Sequence, residues 1–141
     1  MSRLLKMLRR NERGAAAIEM AIAVPVLLVM IYGIFQVGLV FQANAGMQHA
    51  LGEGARMATL CVPTSSGCNS PADSAVVTKM QSKLFGTNIG SFGTPTVTTP
   101  ATTVCTNCRL LTTTYSVTPN YLFFNGPAIN LTRTKLVHIA H

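Results

Sequence analysis

The sequence predicts an α+β protein, in which one long N-terminal transmembrane helix is followed by a short helix and a small antiparallel sheet. Three observations carry this reading: a nearly unbroken apolar run near the N-terminus, a shortage of charge, and alternating Thr-rich segments toward the C-terminus. The 141 residues suffice for one modest domain plus an anchor, not for two full domains. Hydrophobic residues make up 48% and charged residues 11%, where a soluble domain carries about 25% charged residues. That shortfall, with a mean hydropathy of +0.37, points to a membrane.

Residues 15–41 are apolar apart from Glu19 and Gln36. As a helix of about 27 residues rising about 1.5 Å each, the run reaches about 40 Å. A bilayer core needs about 20 residues, and a signal-peptide core is typically about 7–15. Pro25 removes one backbone donor, which membrane helices tolerate because neighbouring groups re-satisfy the freed carbonyl. The sequence thus divides into a basic leader at 1–14, a long helix at 15–60 that spans the membrane to about residue 41, and an exported α+β domain at 61–141.

The net charge of +7 is uneven: Arg3, Lys6, Arg9, Arg10 and Arg13 against Glu12 leave +4 before Gly14. A basic arm can read as nucleic-acid binding, but here it abuts the apolar run and sets topology instead. By the positive-inside rule the N-terminus stays cytoplasmic and residues beyond about 42 are exported. Nucleic acid is therefore not expected as a partner; membrane lipid is.

The helical pattern continues past the apolar run. Gly46, Ala50, Gly54 and Ala58 fall at successive i+4 positions and form a small-residue stripe, flanked by Met47 and Leu51. Such a stripe lets another backbone approach closely. It packs either under the chain's own C-terminal domain or against another subunit.

At the junction before the apolar run, Arg13-Gly14 is followed by Ala15-Ala16-Ala17, then Glu19, Met20 and Pro25. The small residues precede the apolar run, whereas an ordinary signal peptide is cut after it. A glycine at a scissile bond lets a protease backbone approach. Together with Glu53-Gly54-Ala55-Arg56 farther on, this segment resembles the TadE-like family of pseudopilins, from the tight-adherence (Flp-type) pilus systems of bacteria. Met20 stands where an aromatic is more usual. The resemblance covers roughly residues 9–60.

That resemblance implies cleavage between Gly14 and Ala15 by a membrane prepilin peptidase on the cytoplasmic side. Ala15 becomes the mature N-terminus and Glu19 the fifth mature residue. Its carboxylate is then expected to pair with the N-terminal amine of a neighbouring pilin or pseudopilin subunit and to fix axial register. A carboxylate in hydrocarbon costs about 2.5–3.5 kcal/mol on insertion scales, which a nearby ammonium offsets. The competing reading is that Glu19 reaches water near the cytoplasmic headgroups. A long helix, half in membrane and half under a small domain, is the pilin shape.

In the exported part, Ser70 reads as an N-cap and Pro71 as the first helical residue, with Asp73 in the first turn. Val76, Met80 and Leu84 repeat at i+4, and Gly86 reads as a stop, which gives an amphipathic helix at about 71–85. Residues 87–103 form a loop with one strand near 94–99. Leu111, Thr113, Tyr115 and Val117 alternate with Thr112, Thr114 and Ser116 as a strand, and 129–139 is a second. Between them Asn125-Gly126 is a turn signal. Tyr121, Leu122, Phe123 and Phe124 form an apolar cluster there, read as core by default and as a contact patch in the sharper alternative.

Cys61, Cys68, Cys105 and Cys108 all follow the apolar run. An even count beyond an export signal indicates disulfides. Proximity favours Cys61–Cys68 and Cys105–Cys108. A zinc site is disfavoured because Cys61 and Cys68 are spaced too widely, and a redox CxxC wants a helix after its first Cys. His49, His138 and His141 show no ligand spacing. Only Glu53 and Asp73 supply acids in the exported part, which leaves acid/base catalysis without partners. No catalytic residue, metal or cofactor is expected. Asn130-Leu131-Thr132 matches a glycosylation sequon by chance.

The sequence thus reads as a non-enzymatic minor pilin or pseudopilin acting in Tad-type pilus assembly, priming or adhesion. It would be single-pass in the bacterial inner membrane, its C-terminal domain exported or displayed on the pilus. Two alternatives stand beside it. Ala43-Asn44-Ala45 resembles an ordinary cleavage site that would release a secreted domain from Gly46. Cys105 and Cys108 could serve a membrane-tethered thiol oxidoreductase.

Overall fold

An uninterrupted helix, α1 (Glu12–Ala58), carries everything else on its C-terminal half. The structure is a computed structural model and describes residues 12–65, 67–86, 89–100, 105, 107–121 and 123–139; the side chains of residues 12 and 13 are not described. Most of the basic leader, Leu122 and His141 lie outside the described residues. After α1 come β1 (Val62–Thr64), β2 (Gly67–Asn69), α2 (Asp73–Lys83), β3 (Gly90–Phe92), β4 (Thr96–Thr98), β5 (Cys108–Val117) and β6 (Ile129–His138).

The first part of α1 is bare. Ile18, Ile22, Leu27, Met30 and Ile34 are all exposed, a surface that water would not tolerate and lipid would solvate. Pro25 lies inside this stretch. The expected small helix is shorter than 71–85. It is capped by Ala72 in extended backbone (φ −60°, ψ 145°) without a side-chain hydrogen bond, so neither Ser70 nor Pro71 plays the expected role. The reason lies across the fold. Arg109 Nη1 donates to the Pro71 carbonyl oxygen at 2.8 Å, and Arg109 Nε pairs with Asp73 at 3.0 Å, which holds Pro71 outside the helix and Asp73 at its first turn. At the other end Leu84 turns extended (φ −66°, ψ 131°), so Gly86 is not the stop.

β5 is the central strand. β6 pairs with it antiparallel along its whole length, from Cys108 opposite His138 to Val117 opposite Ile129. Along its other edge lie β3, which pairs with 115–117, and β4, which pairs with 110–112. The register of β4 is one residue out of step with that of β3, so the two form one edge strand broken by an extra residue around Gly93-Thr94-Pro95, in the manner of a bulge. Reading 87–103 as a loop with a single strand therefore misses β3. Residues 62–69 form a short β1–β2 hairpin in which Gly67 takes φ +126°, a left-handed backbone that only glycine adopts freely.

Side chains alternate across β5 as a pleated strand requires. Leu111, Thr113, Tyr115 and Val117 are buried against α1 and α2. The opposite face is hydroxyl-rich and uncharged, with Thr96, Thr112 and Thr134 in one row across three strands and Thr114 beside Thr132. The core has two parts stacked along α1. The upper joins Leu51, Ala55 and Ala58 with Val76, Met80, Leu111 and Val137. The lower joins Ala43 and Met47 with Tyr115 and Val117, edged by Phe92 and Leu131. Following β5 toward its C-terminus thus moves down α1 toward the bare end.

Candidate functional site

The small-residue stripe lies inside the chain's own fold. Ala50 and Ala58 are fully buried. A Cβ on Gly46 would overlap the Phe85 carbonyl oxygen, and one on Gly54 would sit 2.8 Å from Met80 Sδ and 2.9 Å from Leu111 Cδ2. Both are closer than real Cβ atoms come. These glycines let the α2–β3 connection and the β5 core press onto the backbone of α1. The stripe is therefore occupied within one chain rather than free for another.

The other end of α1 is free. Gly14 has no heavy atom within 4 Å of where a Cβ would stand. Glu19 is exposed on the bare helix, and among the described residues no cation lies within ion-pairing distance of it. Glycine, small residues and an acid thus occupy the first turns of an apolar rod whose sides are uncovered.

The four cysteines sit in local pairs. The sulfurs of Cys61 and Cys68 lie at bonding distance, as do those of Cys105 and Cys108, with Cα separations of 5.3 and 5.7 Å, ordinary for disulfides. The first pair closes the β1–β2 hairpin. The second closes a turn that leads into β5.

Sequence spacing missed His138. Its Nδ1 lies 3.1 Å from Cys108 Sγ and 3.3 Å from Cys105 Sγ, so the three side chains form a cluster with metal-ligand chemistry. While the sulfurs are bonded to each other they are not thiolates, the form that binds metals, and the cluster is a closed turn beside an imidazole. The signal that could have found it is the ladder: two ten-residue strands joined as a hairpin place 108 opposite 138. Cys108 begins a strand, not a helix, so the turn lacks the helix N-terminus that activates redox CxxC motifs.

A family model described as TadE-like protein matches residues 14–56. Over that helix, the chain is similar to TadE-like proteins. The match begins at Gly14 and ends within the stretch that the domain covers, so it takes in the bare rod, Glu19 and most of the glycine-bearing stripe. No curated protein and no solved structure matches the chain. The matched stretch lies within the one N-terminal helix that, among the described residues, is long and apolar enough to cross a membrane.

Proposed function

We propose that the TadE-like chain is a minor pilin or pseudopilin of a Tad-type pilus, cut between Gly14 and Ala15 by a prepilin peptidase and assembled through its freed N-terminal helix. One observation carries the reading: the family match starts at Gly14, on a helix whose first turns are uncovered and whose Glu19 has no described cationic partner. The new ammonium at Ala15 of one subunit offsets the Glu19 carboxylate of the next, which fixes register in a medium where unpaired charge is costly. The leader stays cytoplasmic and the domain is exported. The uncharged hydroxyl face of the sheet is open to other pilus components or to an adhesion target.

The fold weighs against release of a soluble domain at Gly46. A cut there would remove Ala43 and Val40 from the lower core and would break α1 beside its contact with Phe85. Mass spectrometry of the mature N-terminus tests the proposal. Ala15 is the expected first residue; retention of residues 1–14, or a start at Gly46, overturns it.

The His138 contacts favour a second reading, a membrane-tethered thiol oxidoreductase working through Cys105 and Cys108. Insulin reduction that is lost in Cys105→Ser would support it; an inert protein would dismiss it.

A further inference from the structure

We propose that the loop joining β5 to β6, residues 118–128, is a membrane-seated loop whose Phe123 and Phe124 insert among the lipid acyl chains on the domain's side of the bilayer. This rests on the reading of α1 as a membrane anchor and adds a second point of attachment, made by the domain itself.

Position comes first. β5 descends α1, and the loop continues that descent until the Tyr121 ring packs 3.7 Å from where a Cβ of Gly33 would stand. Pro119 and Tyr121 line one cavity together with Gln36, Val37, Val40 and Phe41. In the same turns Ile34, Phe35, Val37 and Phe41 remain largely exposed. The loop tip therefore lies level with helix whose outer surface is still apolar. The bare stretch below it, residues 14–32, is about 28 Å long at about 1.5 Å per residue, close to the thickness of a hydrocarbon core.

Composition agrees. Phe123 is 73% exposed and Phe124 59%, the reverse of the core packing expected for this cluster, and no charged residue occurs between 118 and 128. Charge reappears at Arg133, whose Nε donates to Asn44 Oδ1 at 2.8 Å. Asn44 is eleven residues up the helix from Gly33, or about 16 Å. An apolar aromatic layer below and a cationic polar layer above is the order that a membrane interface selects.

The backbone agrees independently. A segment can enter lipid only if its polar groups are satisfied internally. Here Tyr121 N–H donates to Phe124 O at 2.8 Å, Phe123 N–H to Tyr121 O at 2.7 Å, and Gly126 N–H to Pro119 O at 2.8 Å. Asn120 bridges Asn125, and Pro119 and Pro127 have no N–H to satisfy. The Tyr121 and Phe124 rings stack at 5.3 Å, and Gly126 leaves room for Tyr121, since a Cβ there would lie 2.7 Å from its Cε2. These bonds and the ring contact tie the described part of the loop to itself.

The sequence contains no tryptophan, so single Trp probes report without background. The full chain carrying Phe123→Trp, Phe124→Trp, Leu27→Trp or Thr132→Trp is reconstituted into phosphatidylcholine vesicles, and quenching by brominated lipid is compared with quenching by iodide. Phe123→Trp and Phe124→Trp should behave like Leu27→Trp, blue-shifted and quenched several-fold more by the lipid. Thr132→Trp, on the hydroxyl face, should be quenched by iodide. If Leu27→Trp is lipid-quenched while both loop probes follow Thr132→Trp, the loop proposal falls and the anchor stands. If Leu27→Trp is also iodide-quenched, the anchor reading itself fails. Loop probes shielded from both quenchers only at high protein density would mean that a second copy of the chain covers the loop, which overturns lipid as the occupant.

Discussion

The α-carbon of Gly46 faces the carbonyl oxygen of Phe85 so closely that no side chain fits between them. Helix and connecting backbone touch directly there, with His49 and Phe85 stacked edge-on one turn farther along (ring centroids 5.7 Å apart). The contact locks the exit of α2 onto the C-terminal half of α1.

Gly46→Ala should therefore destabilise the domain, although alanine is the better helix former. Overpacking of a tight contact costs about 1–3 kcal/mol, more than the roughly 1 kcal/mol gained in helix propensity. Gly52→Ala is the control, because nothing lies within 4 Å of a Cβ there; it should be neutral or slightly stabilising. Thermal unfolding in detergent should show a lower Tm for the first and an unchanged or higher Tm for the second.

Gln36 is 4% exposed, and its Oε1 has no hydrogen-bond partner among the described residues. A buried polar atom left unmade costs about 1–3 kcal/mol. Gln36→Leu should thus raise Tm by a few degrees. A fall in Tm would show that the amide is satisfied in the folded protein.

Arg109 and Asp73 form an asymmetric pair, with side chains 15% and 54% exposed. Arg109 also holds the Pro71 carbonyl. Arg109→Ala should cost about 1–3 kcal/mol, because a carbonyl loses its charged donor and packing is lost. Asp73→Ala should cost under about 1 kcal/mol, as expected for an exposed carboxylate. Urea unfolding of the two variants measures the difference.

The two disulfides should differ in reach. Among the described elements β1 and β2 touch only each other, so Cys61→Ser/Cys68→Ser should loosen the hairpin to proteolysis while leaving Tm nearly unchanged. Cys105→Ser/Cys108→Ser frees the turn that leads into the central strand. A closed loop that short is worth about 2 kcal/mol in the chain-entropy account, and the loss should appear as a lower global Tm.

Much of this architecture is legible in the sequence where a single period dominates. The apolar run gives α1, and the alternation Leu111-Thr113-Tyr115-Val117 gives β5 and its buried face. What escapes is set by distant partners. Ser70-Pro71 carries a helix-start signal, yet Arg109, 38 residues away, claims the Pro71 carbonyl. Asn125-Gly126 signals a turn, yet Gly126 serves to admit the Tyr121 ring, within a loop that reaches Gly33. Phe123 and Phe124 look like core because hydropathy does not distinguish core from lipid. His138 has no local spacing at all and meets Cys108 only through strand register.

Glu19 provides the test of assembly. Its carboxylate stands on the bare helix, one turn beyond Ala15, in a position that disfavours insertion by about 2.5–3.5 kcal/mol if it lies fully in hydrocarbon. Removing it should leave membrane insertion intact or slightly improved, so a Glu19→Ala chain should fractionate with membranes in normal amount. If the carboxylate meets the Ala15 ammonium of a neighbour, the loss of about 1.4 kcal/mol or more from each contact lowers incorporation by about tenfold. Glu19→Gln, which keeps shape but not charge, should behave like Glu19→Ala. Glu19→Asp should recover part of the function, since the charge survives on a shorter stem. Counting pili and quantifying the chain in sheared filaments distinguishes these outcomes. Normal piliation by Glu19→Ala would leave the side chain as no more than a group reaching water at the end of the helix.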